Sequence, residues 1–125
     1  MINTRGINVK MGDQVNEFYY IGLSGIEDKH SYSAKAVAAH RDMVVGKKVR
    51  IVYDALKQNN AGQTMAYVYL GDDVLAGDVV NGKVLAAGLS RLGDFQGNDR
   101  MRMYLTNIGE STKWKKIGMW ADEQK

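Results

Sequence analysis

Met65-Ala66-Tyr67-Val68-Tyr69-Leu70 is followed by Val79-Val80-Asn81 and then by Val84-Leu85-Ala86-Ala87-Gly88-Leu89-Ser90. The first run is aromatic and β-branched, the composition of a strand. Asp78 to Ala87 reads as a short helix closed by Gly88 and weakened by Gly82. Upstream, Lys48 to Asp54 places Val49, Ile51 and Tyr53 on one face of a strand. The turn residues Gln58-Asn59-Asn60-Ala61-Gly62 join that strand to Met65–Leu70 as an antiparallel hairpin.

Working outward, Gly6 to Val15 is a first extended segment, in which Ile7 and Val9 alternate with Asn8 and Lys10. Gly12-Asp13 is a turn signal, and Phe18 to Leu23 is a further strand. Ser31 to Val45 changes to a helical period, with Ala34, Val37, Ala38, Val44 and Val45 along one side. Ser31 or Ser33 is the expected cap at its start and Gly46 the terminator at its end. Asp99 to Ile117 forms a last helix with Met101, Leu105, Ile108 and Thr112 on one side. Gly118 stops it, and Trp120 packs back. The order predicts an α+β fold around a small barrel or curled sheet, with residues 1–125 as one domain.

Composition narrows the function classes. Hydrophobic residues make up 45% and charged residues 25% of the 125, which excludes a disordered chain. No apolar run approaches the roughly 20 residues that span a bilayer, so no membrane partner is expected. Met1 to Lys10 lacks a continuous apolar core, so no secretory signal is visible; the compartment is left open, with the cytoplasm favoured. With no cysteine and with His30 and His40 ten positions apart, a thiolate or helical histidine zinc site is not expected. The net charge of +3 suits contact with a polyanion, and Lys47, Lys48 and Arg50 form one basic cluster. Lys113, Lys115 and Lys116 form a second.

Three stretches together resemble the staphylococcal-nuclease-like (thermonuclease) family, including the repeats of Tudor-staphylococcal-nuclease proteins. Met65–Leu70 is similar to the family's Gly-Leu-Ala-Tyr-Ile-Tyr strand. Val79–Ser90 is similar to its Val-Asn-x-x-Leu-Val-x-x-Gly-Leu-Ala helix, and Lys115-Lys116-Ile117-Gly118-Met119-Trp120 to its closing Lys-x-Gly-Leu-Trp. Gly12-Asp13-Gln14-Val15 and Gly22-Leu23-Ser24-Gly25-Ile26-Glu27 fit the family's Gly-Asp-Thr-Val and Arg-Leu-x-Gly-Ile-Asp more loosely. The resemblance implies an OB fold: a five-stranded barrel with about three helices.

It also implies a site in which carboxylates hold calcium, two arginines grip the phosphate and a glutamate assists the attacking water. Asp13 and Glu27 fall on the metal carboxylates. Gly22 falls on the first arginine and Gln63 on the second, with Arg50 or Lys57 as the nearest compensating cations. His30 takes the glutamate's place and is the one candidate base. Shifting the pairing by two or three residues puts Tyr19 on the arginine and Ser24 on the aspartate, which again supplies no guanidinium. The family's nucleotide-stacking tyrosines are unmatched, and Phe95 is the aromatic ring left in that loop.

Losing both arginines removes the groups that match transition-state charge, a loss on the order of a hundredfold in rate for each. The expected function is therefore a catalytically degenerate domain that binds single-stranded DNA or RNA, or a partner protein, and needs no cofactor. Lys47, Lys48, Arg50, Lys57, Gln63 and Phe95 are its candidate contacts. The alternatives are a calcium-dependent nuclease with a rearranged site built on Asp13, Glu27 and His30, and an assembly module of a larger protein.

Overall fold

The computed structural model describes residues 3–123. Gly6–Met11 (β1) and Gln14–Tyr20 (β2) pair antiparallel, from Met11 opposite Gln14 to Gly6 opposite Tyr19, so Gly12-Asp13 is the hairpin turn. Leu23–Gly25 (β3) follows, then helix Ser33–Val44 (α1), strand Val49–Val52 (β4) and strand Met65–Leu70 (β5). A 3-10 turn at Ala76–Asp78 leads into helix Val80–Ala86 (α2), strand Arg91–Leu92 (β6), helix Arg102–Trp114 (α3) and the single helical turn Met119–Asp122 (α4).

The expected hairpin between β4 and β5 is present, with Val49 opposite Leu70 and Val52 opposite Tyr67. β2 joins the other side of β5 in parallel, giving a sheet of order β1-β2-β5-β4. β5 is the central strand. Met65 to Tyr69 are all buried, because one face looks into the curl of the sheet and the other is covered by α2. β3 and β6 make a separate two-stranded sheet. The α+β, OB-like layout is thus as the resemblance implies, but the barrel is not closed. β1 and β4 are free edges on either side of a groove of about 780 Å3.

α1 departs from expectation in its face and its cap. Ala36 and His40 are its buried residues, whereas Ala34 and Ala38 are exposed and Val45 is 64% exposed. A count of apolar residues goes astray here because the largest buried side chain on the helix is a histidine. No side chain caps the start. The Ser31 hydroxyl instead donates to Asp122 Oδ2 at 2.8 Å, fastening the entrance of α1 to α4.

Gly82, an expected weak point in α2, lets α3 come close. A Cβ there would stand 3.2 Å from Ile108 Cδ1. Gly88 and Gly118 meet more tightly still. A Cβ on Gly88 would lie 2.2 Å from the Ile117 carbonyl oxygen, and one on Gly118 would lie 2.5 Å from that of Ala87. The Met119 N–H donates to the Gly88 carbonyl at 2.9 Å. Two of the stretches that carried the resemblance therefore touch through their glycines.

Two polar groups are buried at the centre. Asn81, fully buried, accepts from the Val68 N–H at 3.0 Å and donates Nδ2 to the carbonyls of Ile21 (3.1 Å) and Ala66 (3.2 Å). β2 and β5 diverge just there, and the amide completes the hydrogen bonding that the ladder can no longer supply. Asn81→Ala strands one donor and removes two further bonds. It is expected to destabilise the fold by about 3 kcal/mol, read as a lower urea midpoint at an unchanged slope.

His40 lies against the edge of the Tyr20 ring and is bonded at both nitrogens, 2.6 Å from Tyr20 Oη and 2.9 Å from the Asn3 carbonyl. A carbonyl only accepts, so Nδ1 carries the proton and Nε2 accepts from the phenol. Burial pushes the His40 pKa down, opposed in part by the bond to Asn3. The unfolded chain binds a proton near pH 6.5 while the folded chain resists it. Stability is therefore complete above about pH 6.5 and is lost as pH falls toward the folded value. Thermal melts between about pH 8 and pH 5 should show that decline, and His40→Gln should flatten it.

Candidate nucleic-acid interface

The open end of the β1–β2 hairpin faces β3. Arg5, just before β1, accepts the Tyr20 N–H on its carbonyl at 2.7 Å, and its guanidinium lies 6.0 Å over the Tyr19 ring. Its stem rests on Gly25, where a Cβ would stand 2.3 Å from Arg5 Cγ. From there a cleft of about 270 Å3 runs past Ser24, Glu27 and Asp28 to Arg91 at the start of β6.

Arg91 organises the far end. Its Nε donates to Glu27 Oε1 at 2.5 Å and its Nη2 to Oε2 at 3.3 Å, and Nη2 also reaches the Glu123 carboxylate. The guanidinium stands 5.2 Å from the Trp120 ring centre. Its hydrogen bond holds the Glu27 carboxyl below the usual carboxylate range, and Glu27 raises Arg91 in return.

On the other side of Tyr19 lies a second hollow of about 570 Å3, lined by Tyr19, Tyr53, Gln63 and Thr64 among others. Lys57 Nζ stands 4.8 Å over the Tyr53 ring. Gln63 is held within its loop: Asn59 donates to its Oε1 at 2.8 Å and accepts its N–H at 3.0 Å.

The remaining expected residues lie elsewhere or are engaged. Asp13 sits at the turn of the hairpin, and Glu27 lies beyond its opposite end, about 20 Å away along the strands. One ion cannot be shared between them. His30 is half-buried, its Nδ1 accepting the Tyr32 N–H at 3.0 Å and its Nε2 standing 3.8 Å from Glu123 Oε1. Lys47 and Lys48 line the separate β1/β4 groove with Lys10 and Arg41. Lys48 pairs with Asp72 at 2.7 Å, and Arg50 donates to the Asp72 carbonyl at 3.0 Å. Phe95 is buried in the core, its ring packed on Gly22, so it offers no face to a base.

Gly22 is turned inward, whereas Tyr19 and Ser24 line the cleft and its neighbouring hollow. Of the two pairings, the shifted one thus places its residues on the candidate face. Calcium takes six to eight oxygen ligands. Here Arg91 occupies both Glu27 oxygens, Asp28 Oδ1 accepts from Asn3 Nδ2 at 3.0 Å, and two guanidiniums share the cleft. No three of His, Asp and Glu converge among the described residues. These residues do not fit a divalent ion.

Sheet order, the Asn81 bridge and the glycine contact together define an OB-like α+β domain with a cleft lined by two arginines and two carboxylates. Residues 6–122 match the family described as staphylococcal nuclease homologue, and the chain belongs to it. It is 29% identical over 77 residues to the thermonuclease of Staphylococcus intermedius, an alignment covering 62% of this chain and 43% of that protein. The chain spans less than half the length of that relative. No helix among the described residues is long and apolar enough to cross a membrane.

Arg5 and Arg91 are the candidate site residues that the sequence alone did not single out. Arg91 directly follows Gly88-Leu89-Ser90, and that adjacency was the one available signal. Its partner Glu27 lies 64 positions away, beyond any spacing rule. The two pairings also differ in what the fold tolerates. Gly22 holds φ at 85°, and a Cβ there would stand 2.5 Å from Phe95 Cε2. Gly22→Arg is expected to cost on the order of 3 kcal/mol or more in chemical denaturation, and Tyr19→Arg less than about 1 kcal/mol.

Proposed function

We propose that this domain binds single-stranded nucleic acid across the face from Gln63 through Tyr19 and Arg5 to Arg91, without cleaving it. The observation that carries this reading is the Arg91–Glu27 ion pair with Arg5 in the same cleft. Cleavage needs a carboxylate free to take a proton from water, or a metal to activate that water. Glu27 is bound at both oxygens and held as the weak-base carboxylate. Arg5, in no ion pair among the described residues, by contrast presents a planar fork suited to a phosphate. Tyr19 and Tyr53 add half-buried rings beside it. The thermonuclease relative favours nucleic acid over other polyanions.

The test incubates labelled single-stranded DNA and RNA with the protein, in calcium and in chelator, following both anisotropy and product size. Binding is expected in either condition, weakening linearly in log–log form as salt rises, with the strand intact. Arg91→Ala should weaken it about tenfold. Calcium-dependent cleavage that disappears in Glu27→Gln would establish a rearranged nuclease instead. Absence of binding would leave a protein partner as the ligand of this face.

A further inference from the structure

The two tryptophans have opposite environments. Trp120 is 8% exposed and has Arg91 5.2 Å and Lys113 5.3 Å from its ring centre. Trp114, in the last turn of α3, is 87% exposed. α3 turns Leu105, Gly109 and Thr112 inward, so the indole projects from the outer side. A residue of this size is usually buried for most of its area.

Around Trp114 is a hollow of about 600 Å3 lined by Glu110, Lys113 and Lys116, with Lys115 adjacent in sequence. None of the three lysines sits in an ion pair among the described residues. Lys116 has φ 57°, the left-handed region that suits glycine. It ends the helix: its N–H donates to the Lys113 carbonyl at 3.1 Å, and the Ile117 N–H donates to the Thr112 carbonyl at 3.2 Å. The negative end of the helix dipole accounts for lysines in a last turn. It accounts neither for a strained lysine where glycine fits freely nor for an indole left in water.

We propose that Trp114, Lys113 and Lys116 form a second contact point for single-stranded nucleic acid, with a base stacked on the indole and phosphates against the ammonium groups. This rests on the nucleic-acid reading of the Arg5–Arg91 cleft, which it extends. Arg91, Trp120 and Lys113 stand in succession and join that cleft to the patch. The ligand class follows from the chemistry present: a flat apolar face beside cations held in no ion pair among the described residues selects a polyanion that carries flat rings.

The experiment titrates an oligothymidine of about 12 nucleotides, following tryptophan emission and, separately, the anisotropy of the labelled strand. Binding is expected to quench the emission of the wild type, with most of the quench absent in Trp114→Phe, where only Trp120 reports. Trp114→Ala should weaken binding about tenfold with its melting temperature unchanged, and Trp114→Tyr should regain much of the loss. Lys116→Gly should raise the melting temperature, yet bind more weakly and reduce the salt slope by about one. Equal binding by wild type and Trp114→Ala would overturn the proposal while leaving the cleft reading intact. So would a wild type that self-associates through Trp114 with no effect on strand affinity. No binding by the wild type would overturn both.

Discussion

The Asn81 side-chain amide holds together the point at which the sheet comes apart. β2 runs beside β5 only through Tyr19 and Tyr20 before the Ile21 N–H makes its last bond, to the Ala66 carbonyl at 3.0 Å. Past that residue the backbone turns at Gly22 toward β3, and the layout of the candidate face follows from the turn. The amide bonds Ile21, Ala66 and Val68 at once from the first turn of α2. It thereby fixes helix, central strand and departing strand in one geometry. Without a buried group able to donate and accept together, the split would leave polar backbone facing an apolar core.

That divergence places the candidate site. It sends Ser24, Gly25 and Glu27 across the open end of the hairpin, opposite Arg5, and pairs β3 with β6 so that Arg91 arrives beside Glu27. The cleft is a meeting of chain segments from near residue 5, residue 25 and residue 91. Its charge character is set by the arginines as much as by the carboxylates. The guanidinium bonded to the half-exposed Glu27 carboxylate lowers its pKa and makes it a weaker base.

Much of the fold was legible in the letters. The β4–β5 hairpin, α2 with its terminating Gly88, and α3 with Leu105 and Thr112 inward follow from short-range period and turn chemistry. What resisted was tertiary in origin. His40 counts as polar in any periodicity, yet it is the buried side chain of α1, because Tyr20 and the Asn3 carbonyl satisfy both of its nitrogens. Phe95 looks available in a glycine-bearing loop, yet Gly22, seventy-three positions earlier, makes the space that buries it. The site was legible in its losses and illegible in its replacements. Neither Gly22 nor Tyr19 supplies a guanidinium and Gln63 carries no charge, but Arg91 acquires its meaning only from Glu27 and Glu123.

The contact of Gly88 with Gly118 bears on the order of events in folding. The end of α2 cannot reach its final packing until a backbone thirty positions later has crossed it, and the parallel pairing of Tyr19 with Met65 joins residues forty-six positions apart. Both contacts close long loops before they return much energy, and long-range closure of this kind slows the search for the native state. The local β4–β5 hairpin forms on a much shorter timescale and waits, with both faces of β5 uncovered. Until the glycines meet, five consecutive buried residues of that strand are open to any other extended chain.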